Sequence, residues 1–139
     1  MHEQVRYPHL LDQDAPILTA YLRENGRRYT QVDFDVRIGT GRDPGPDYPD
    51  NIRKMALDLS RRRIDALGRS PQSVDIIEVT THAGTTTLGQ LHAYAILYAR
   101  DHRPTIPVKM ILAAATIQTD LHAAFIAAGV EIHLYPEAV

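Results

Sequence analysis

The chain contains no cysteine. That absence excludes disulfides, thiolate-held zinc, cysteine nucleophiles and iron–sulfur clusters, and it suits a cytoplasmic setting. Lysine is nearly absent: Lys54 and Lys109 stand against thirteen arginines. No run approaches the roughly 20 apolar residues of a membrane span. The opening MHEQVRYPHL lacks a basic-then-apolar signal pattern, so neither membrane nor secretion is expected. Excess positive charge is missing as well. Fifteen basic residues face seventeen acidic ones, for a net charge of −2, so any grip on nucleic acid has to come from a local patch. No G-x-S-x-G elbow, G-x-G-x-x-G after a strand or H-x-x-x-H pair occurs, and His92, His122 and His133 are scattered.

What is present is an ordinary globular composition, 44% hydrophobic over 139 residues, which predicts one domain spanning 1–139 with a real core. Ile17, Leu18, Tyr21 and Leu22 recur at helical spacing over 15–25, and Gly26 stops the helix. Residues 29–38 alternate, with Val32, Phe34, Val36 and Ile38 on one face and Asp33, Asp35 and Arg37 on the other, a half-buried strand. The glycine- and proline-rich stretch 39–49 is a loop. A helix follows over 50–60, capped by Asp50 and striped by Ile52, Met55, Ala56 and Leu59.

Strands at 61–69 and 74–82 are joined by the turn Ser70-Pro71-Gln72-Ser73. A helix over 85–101 carries Leu88, Leu91, Ala95 and Tyr98 on one stripe, and Thr85 or Thr86 caps it. The apolar run 108–115 suits a strand buried on both faces. A helix over 120–128, capped by Thr119 or Asp120, and a strand over 130–135 complete the chain. The pattern α-β-α-β-β-α-β-α-β predicts an α/β fold with a mixed sheet covered by helices.

The hairpin carries the chemistry. Centring its turn between Pro71 and Gln72 sets Asp65 directly opposite Glu78. Side chains so opposed lie about 4.5–5.5 Å apart on one face, and two carboxylates there repel. A divalent cation, Mg²⁺ or Mn²⁺, would compensate them. Thr80 and His82 share the Glu78 face, while Ile64, Ala66, Ile77 and Val79 point to the core. The alternative is that the acids face water, neutralised by Arg61 and Arg63.

Asp65, twelve residues, then Glu78-Val79-Thr80 on a hairpin, followed by a helix and a strand, resembles the PD-(D/E)XK nuclease-like superfamily. Its core order is α-β-β-β-α-β, present here with one helix inserted at 50–60. Ile64 stands where the motif proline would be. Gln90 and Tyr94, one helical turn apart, resemble the Q-x-x-x-Y signature of the RecB-like branch. The whole chain, including DVRIGTGRDPGPDYP, is similar to small phage-encoded proteins of the superfamily.

The resemblance implies a site of Asp65, Glu78, Thr80, His82, Gln90 and Tyr94, with Asp65 and Glu78 as Mg²⁺ or Mn²⁺ ligands. Thr80 stands where the family has a lysine that stabilises charge developing on the phosphate, which threonine cannot do. This implies a noncatalytic nuclease-fold protein with a structural or DNA-associated role in a phage particle, such as a head–tail connector or completion component. It would act in the host cytoplasm or virion, as a homo-oligomer or with other phage proteins, through loop 39–49. The alternative is an active Mg²⁺-dependent nuclease whose base is relocated to His82 or Lys109. The segment AGTTTLG, residues 83–89, favours phosphate at a helix start but is not a Walker loop. Arg61–Arg63, split across two faces, form a weak nucleic-acid patch.

Overall fold

The computed structural model describes residues 5–139. In chain order the elements are α1 (Ala15–Asn25), β1 (Gln31–Ile38), α2 (Asp50–Ser60), β2 (Arg62–Arg69), β3 (Val74–Ala83), α3 (Thr85–His102), β4 (Val108–Ile117), α4 (His122–Ala127) and β5 (Val130–Leu134). The five strands form one mixed sheet in the order β1-β2-β3-β4-β5. The first three run antiparallel, whereas β3–β4 and β4–β5 are parallel. The reason lies in the connections. Ser70 N–H bonds the Ser73 carbonyl at 3.0 Å to close a tight turn, while α3 and α4 supply the crossovers that parallel neighbours need.

Helices cover both faces. Ile17, Leu18 and Tyr21 of α1 pack on Ala66, Ile77, Ile111 and Ala113. Leu91, Tyr94 and Tyr98 of α3 and Phe125 of α4 pack on Ile64, Leu67, Ile76 and Leu112. Strand β4 feeds both clusters, which explains its unbroken apolar run. No helix among the described residues is long and apolar enough to cross a membrane.

One departure from simple alternation shapes the sheet. Val32 and Phe34 join the α1 side, but Val36 and Ile38 join the α3 side. Asp35 sits at φ +54°, in the left-handed region, and turns the strand over. β2 reverses with it: Ala66 packs on the α1 side and Ile64 on the α3 side. The paired positions Phe34↔Ala66 and Val36↔Ile64 flank the reversal, and the ladder skips Asp35 and Asp65 between them. The expectation of one apolar face per strand is therefore corrected.

Three caps also differ. Pro49, not Asp50, precedes α2, and Asp50 lies in its first turn, where its charge suits the helix dipole. Gly84 precedes α3 with no side-chain cap. The segment before α4 is a 3₁₀ turn over Thr119–Leu121, so the α-helix is shorter than its sequence pattern and has no side-chain cap.

Asp75 on β3 is fully buried. Tyr29 Oη donates to its Oδ2 at 2.8 Å, Ser73 Oγ to its Oδ1 at 2.7 Å, and Arg28 Nη2 lies 3.2 Å away. Arg28 also bonds Glu131 at 2.6 Å, tying β5 to the same network. Removing the carboxylate strands the Ser73 hydroxyl and leaves Tyr29 and Arg28 with only Tyr21 and Glu131 as partners. Asp75→Ala is expected to cost about 3–5 kcal/mol in urea unfolding; a loss below about 1 kcal/mol, the scale of a surface substitution, would contradict this account.

Candidate functional site

The β2–β3 ladder runs in the expected register from Arg69↔Val74 to Ala66↔Ile77 and then opens. At the opening, Asp65 Oδ2 takes the Val79 N–H at 2.9 Å, and the Asp65 N–H points at Glu78 Oε1, 3.4 Å away. Each carboxylate thus replaces a backbone partner of the opposite strand. The two carboxyl groups lie within mutual hydrogen-bonding reach. No arginine, lysine or histidine among the described residues makes a salt bridge to either.

Burial raises both acids. Asp65 lies above its ordinary value chiefly by desolvation, with further upward pushes from Asp14 and Asp35. Glu78 is 5% exposed and is raised well above its ordinary value, first by burial and then by the Asp65 charge. Burial thus favours the neutral form of Glu78.

A polar cavity of about 530 Å³ opens beside them. Asp65, Glu78, Thr80, His82, Gln90 and Tyr94 all line it. β2 and β3 supply the acids, Thr80 and His82, while α3 starts at the end of β3 and swings back across the sheet, bringing Gln90 and Tyr94 over the acids. The His82 ring is exposed, and its Nδ1 lies 2.6 Å from Thr116 Oγ1 on β4. Its other ring nitrogen has no protein partner among the described residues. Tyr94 is buried, its phenol raised by desolvation and by the Glu78 charge and opposed by the Arg62 charge.

The cavity's cation is Arg63 rather than a lysine. Its Nε lies 3.7 Å from Asp35 Oδ1. Arg61 instead donates to the Gly39 and Arg37 carbonyls and does not reach the acids. Lys109 is exposed and shares the alternation of Ile111 and Ala113, which pack on the α1 side, so it lies across the sheet from the cavity. Lys54 is exposed on α2 and does not line the cavity either.

Several contributors were not singled out from sequence. His9 Nε2 lies 3.1 Å from Asp35 Oδ2, and His9, Asp14 and Gln118 line the cavity. Buried Asp14 accepts a bond from Thr81 Oγ1 at 2.9 Å, and its carboxyl is raised by desolvation. Asp35 was read as a solvent-facing strand residue, and only its left-handed backbone brings it beside Asp65. No local pattern announces these groups, because they arrive from distant segments.

Hard oxygen donors, mutual repulsion, burial and an open polar cavity for waters fit a cation such as Mg²⁺, which needs only one or two carboxylates and keeps the rest of its shell as water. No group of three or more histidines, aspartates or glutamates among the described residues is arranged to hold a metal ion, so a protein cage suited to calcium or zinc is not built here. No protein-family model, curated protein or solved structure matches this chain.

Because Glu78 titrates above its ordinary 4.5 when folded, the folded chain holds more protons than the unfolded chain above that pH. Stability contributed by the protonated pair is present below pH 4.5 and is lost as pH rises through the folded value. Glu78→Gln is expected to be more stable than wild type at pH 7 and to show a flatter profile in urea midpoints taken upward from pH 4.5. Parallel profiles would contradict the assignment.

Proposed function

We propose that this chain is a noncatalytic PD-(D/E)XK-like domain that keeps the cation-holding carboxyl pair, lacks the charged group that cleavage needs, and acts by binding. The observation that carries this is the cavity itself: Asp65 and Glu78 are paired in it, Thr80 occupies the motif-lysine position, and neither lysine lines it. The order α1-β1-α2-β2-β3-α3-β4, with α2 as an insertion, supports the family reading. A divalent cation held by Asp65 and Glu78 would supply positive charge to a phosphate oxygen. Thr80 has no charge to add to it.

The same proposal assigns the chain a structural or DNA-associated role in a phage particle, as a head–tail connector or completion component working as a homo-oligomer or with other phage proteins. Loop 39–49 and α2 support a partner surface. No residue of α2 is buried, and Ile52, Met55 and Leu59 stand exposed at helical spacing with Tyr48 just before them. An amphipathic helix whose apolar stripe stays exposed has that stripe available for another chain.

An active nuclease with His82 as the relocated base is the second reading. The oriented, exposed His82 ring inside the cavity favours it. Lys109, across the sheet, has no part in it.

Plasmid nicking in Mg²⁺ and Mn²⁺ separates the two. Wild type is expected to leave supercoiled plasmid intact, and Thr80→Lys to nick it in a manner abolished by adding Glu78→Ala. Nicking by wild type that is lost in both Glu78→Ala and His82→Ala would overturn the noncatalytic assignment. For the assembly role, sedimentation is expected to show oligomers for wild type and Glu78→Ala and monomers for Met55→Glu/Leu59→Glu. A monomeric wild type at micromolar concentration would contradict the partner surface.

A further inference from the structure

A second polar cleft shares no lining residue with the cavity of the carboxyl pair, and its charge is opposite. It measures about 530 Å³ and is walled by the loop after β1, the start of β2 and the end of α3. Arg42, Arg62 and Arg100 line it together with the hydroxyl residues Thr40 and Ser60, and no carboxylate residue lines it. Neither Arg42 nor Arg62 makes a salt bridge to a carboxylate among the described residues. Arg100 bonds Asp101 at 2.9 Å, and that same carboxylate accepts the Gly39 N–H at 2.9 Å. In a chain of net charge −2, three guanidinium groups converging with one acid beside them form a local excess that global composition hides.

The cleft is also held in shape before any ligand arrives. Gly41 has φ +73°, and a Cβ there would lie 2.1 Å from the Leu57 carbonyl, so the loop sits against α2 with no room for a side chain. Ser60 Oγ accepts the Arg42 N–H at 2.5 Å. Arg61 donates to the Gly39 and Arg37 carbonyls and clamps the loop to β2. A rigid concave wall of planar, permanently charged forks and hydroxyls matches the tetrahedral oxygens of a phosphate, to which each arginine can donate two bonds.

We propose that Arg42, Arg62 and Arg100 form an oxyanion-binding cleft that takes a phosphate group. The phosphate is either free or part of a nucleic-acid backbone, and the cleft is independent of the cation at Asp65 and Glu78. The arginine cleft and the acidic cavity share no lining residue.

The test uses the full chain in EDTA, which keeps divalent cations out of the acidic cleft. Inorganic phosphate is titrated by calorimetry and a fluorescein-labelled DNA duplex by anisotropy, for wild type, Arg42→Gln/Arg100→Gln and, as a control that removes a cation lining neither cleft, Lys109→Gln. Unchanged thermal midpoints and circular dichroism spectra establish that the variants fold. The arginine pair is expected to weaken the bound probe about tenfold or more and, for DNA, to lower the salt slope by about two, while Lys109→Gln retains wild-type phosphate binding. Loss on DNA assigns a backbone phosphate; loss on inorganic phosphate with no DNA binding assigns a free anion; both support the cleft. No binding of either probe by wild type, equal binding by the arginine variant, or an equal loss in Lys109→Gln overturns it. None of these outcomes alters whether Asp65 and Glu78 hold a cation, so the two proposals fail separately.

Discussion

Strand β3 is buried on both faces and nevertheless carries two acids, and how each is accommodated organises the rest of the molecule. Asp75 has a hydroxyl from Ser73, a phenol from Tyr29 and the Arg28 guanidinium around it. A buried carboxylate so surrounded has its hydrogen-bonding capacity met by the protein. Three residues further along, Glu78 has the opposite arrangement: a second carboxyl faces it, no cation bonds it, and a backbone N–H is its hydrogen-bond donor in the protein. An isolated buried charge costs several kcal/mol, so burial favours the neutral form of Glu78. One strand thus shows both a completed polar network and an incomplete one, and the incomplete one opens onto a cavity.

The strand reversal at Asp35 and Asp65 is what leaves that network open. By turning β1 and β2 over at one level, it ends the β2–β3 ladder at Ala66↔Ile77. It frees the Val79 N–H for the Asp65 side chain and brings Asp35 to the acids. A left-handed aspartate in a strand is strained, typically by about 1–3 kcal/mol. Here His9 and Arg63, which flank the Asp35 carboxylate, help hold it. A separate cleft lined by Arg42, Arg62 and Arg100 carries the opposite charge.

Much of this was legible in the sequence where local rules act. Periodicity and turn residues predicted all nine main elements in order, and the position of Pro71-Gln72 predicted the register that sets Asp65 against Glu78. The face reversal was not legible, because alternation assumes an extended backbone and nothing in YTQVDFDVRI signals that Asp35 leaves it. Cap assignments at Asp50, Thr85 and Thr119 failed because capping side chains compete with tertiary partners and with turns of tighter pitch. His9, Asp14 and Gln118 reach the cavity only through the packing of distant segments. The arginine cleft escaped for the same reason: Arg42, Arg62 and Arg100 are far apart in the chain and only the fold gathers them.

The account turns on the Asp65–Glu78 pair being a cation site rather than two acids left facing a cavity. Titration calorimetry of Mn²⁺ into wild type and Glu78→Gln at neutral pH tests this most directly. The predicted result is one ion per wild-type chain, with proton release as Glu78 gives up its proton, and no binding by the glutamine variant. Equal heats from both proteins, or none from wild type, would contradict it.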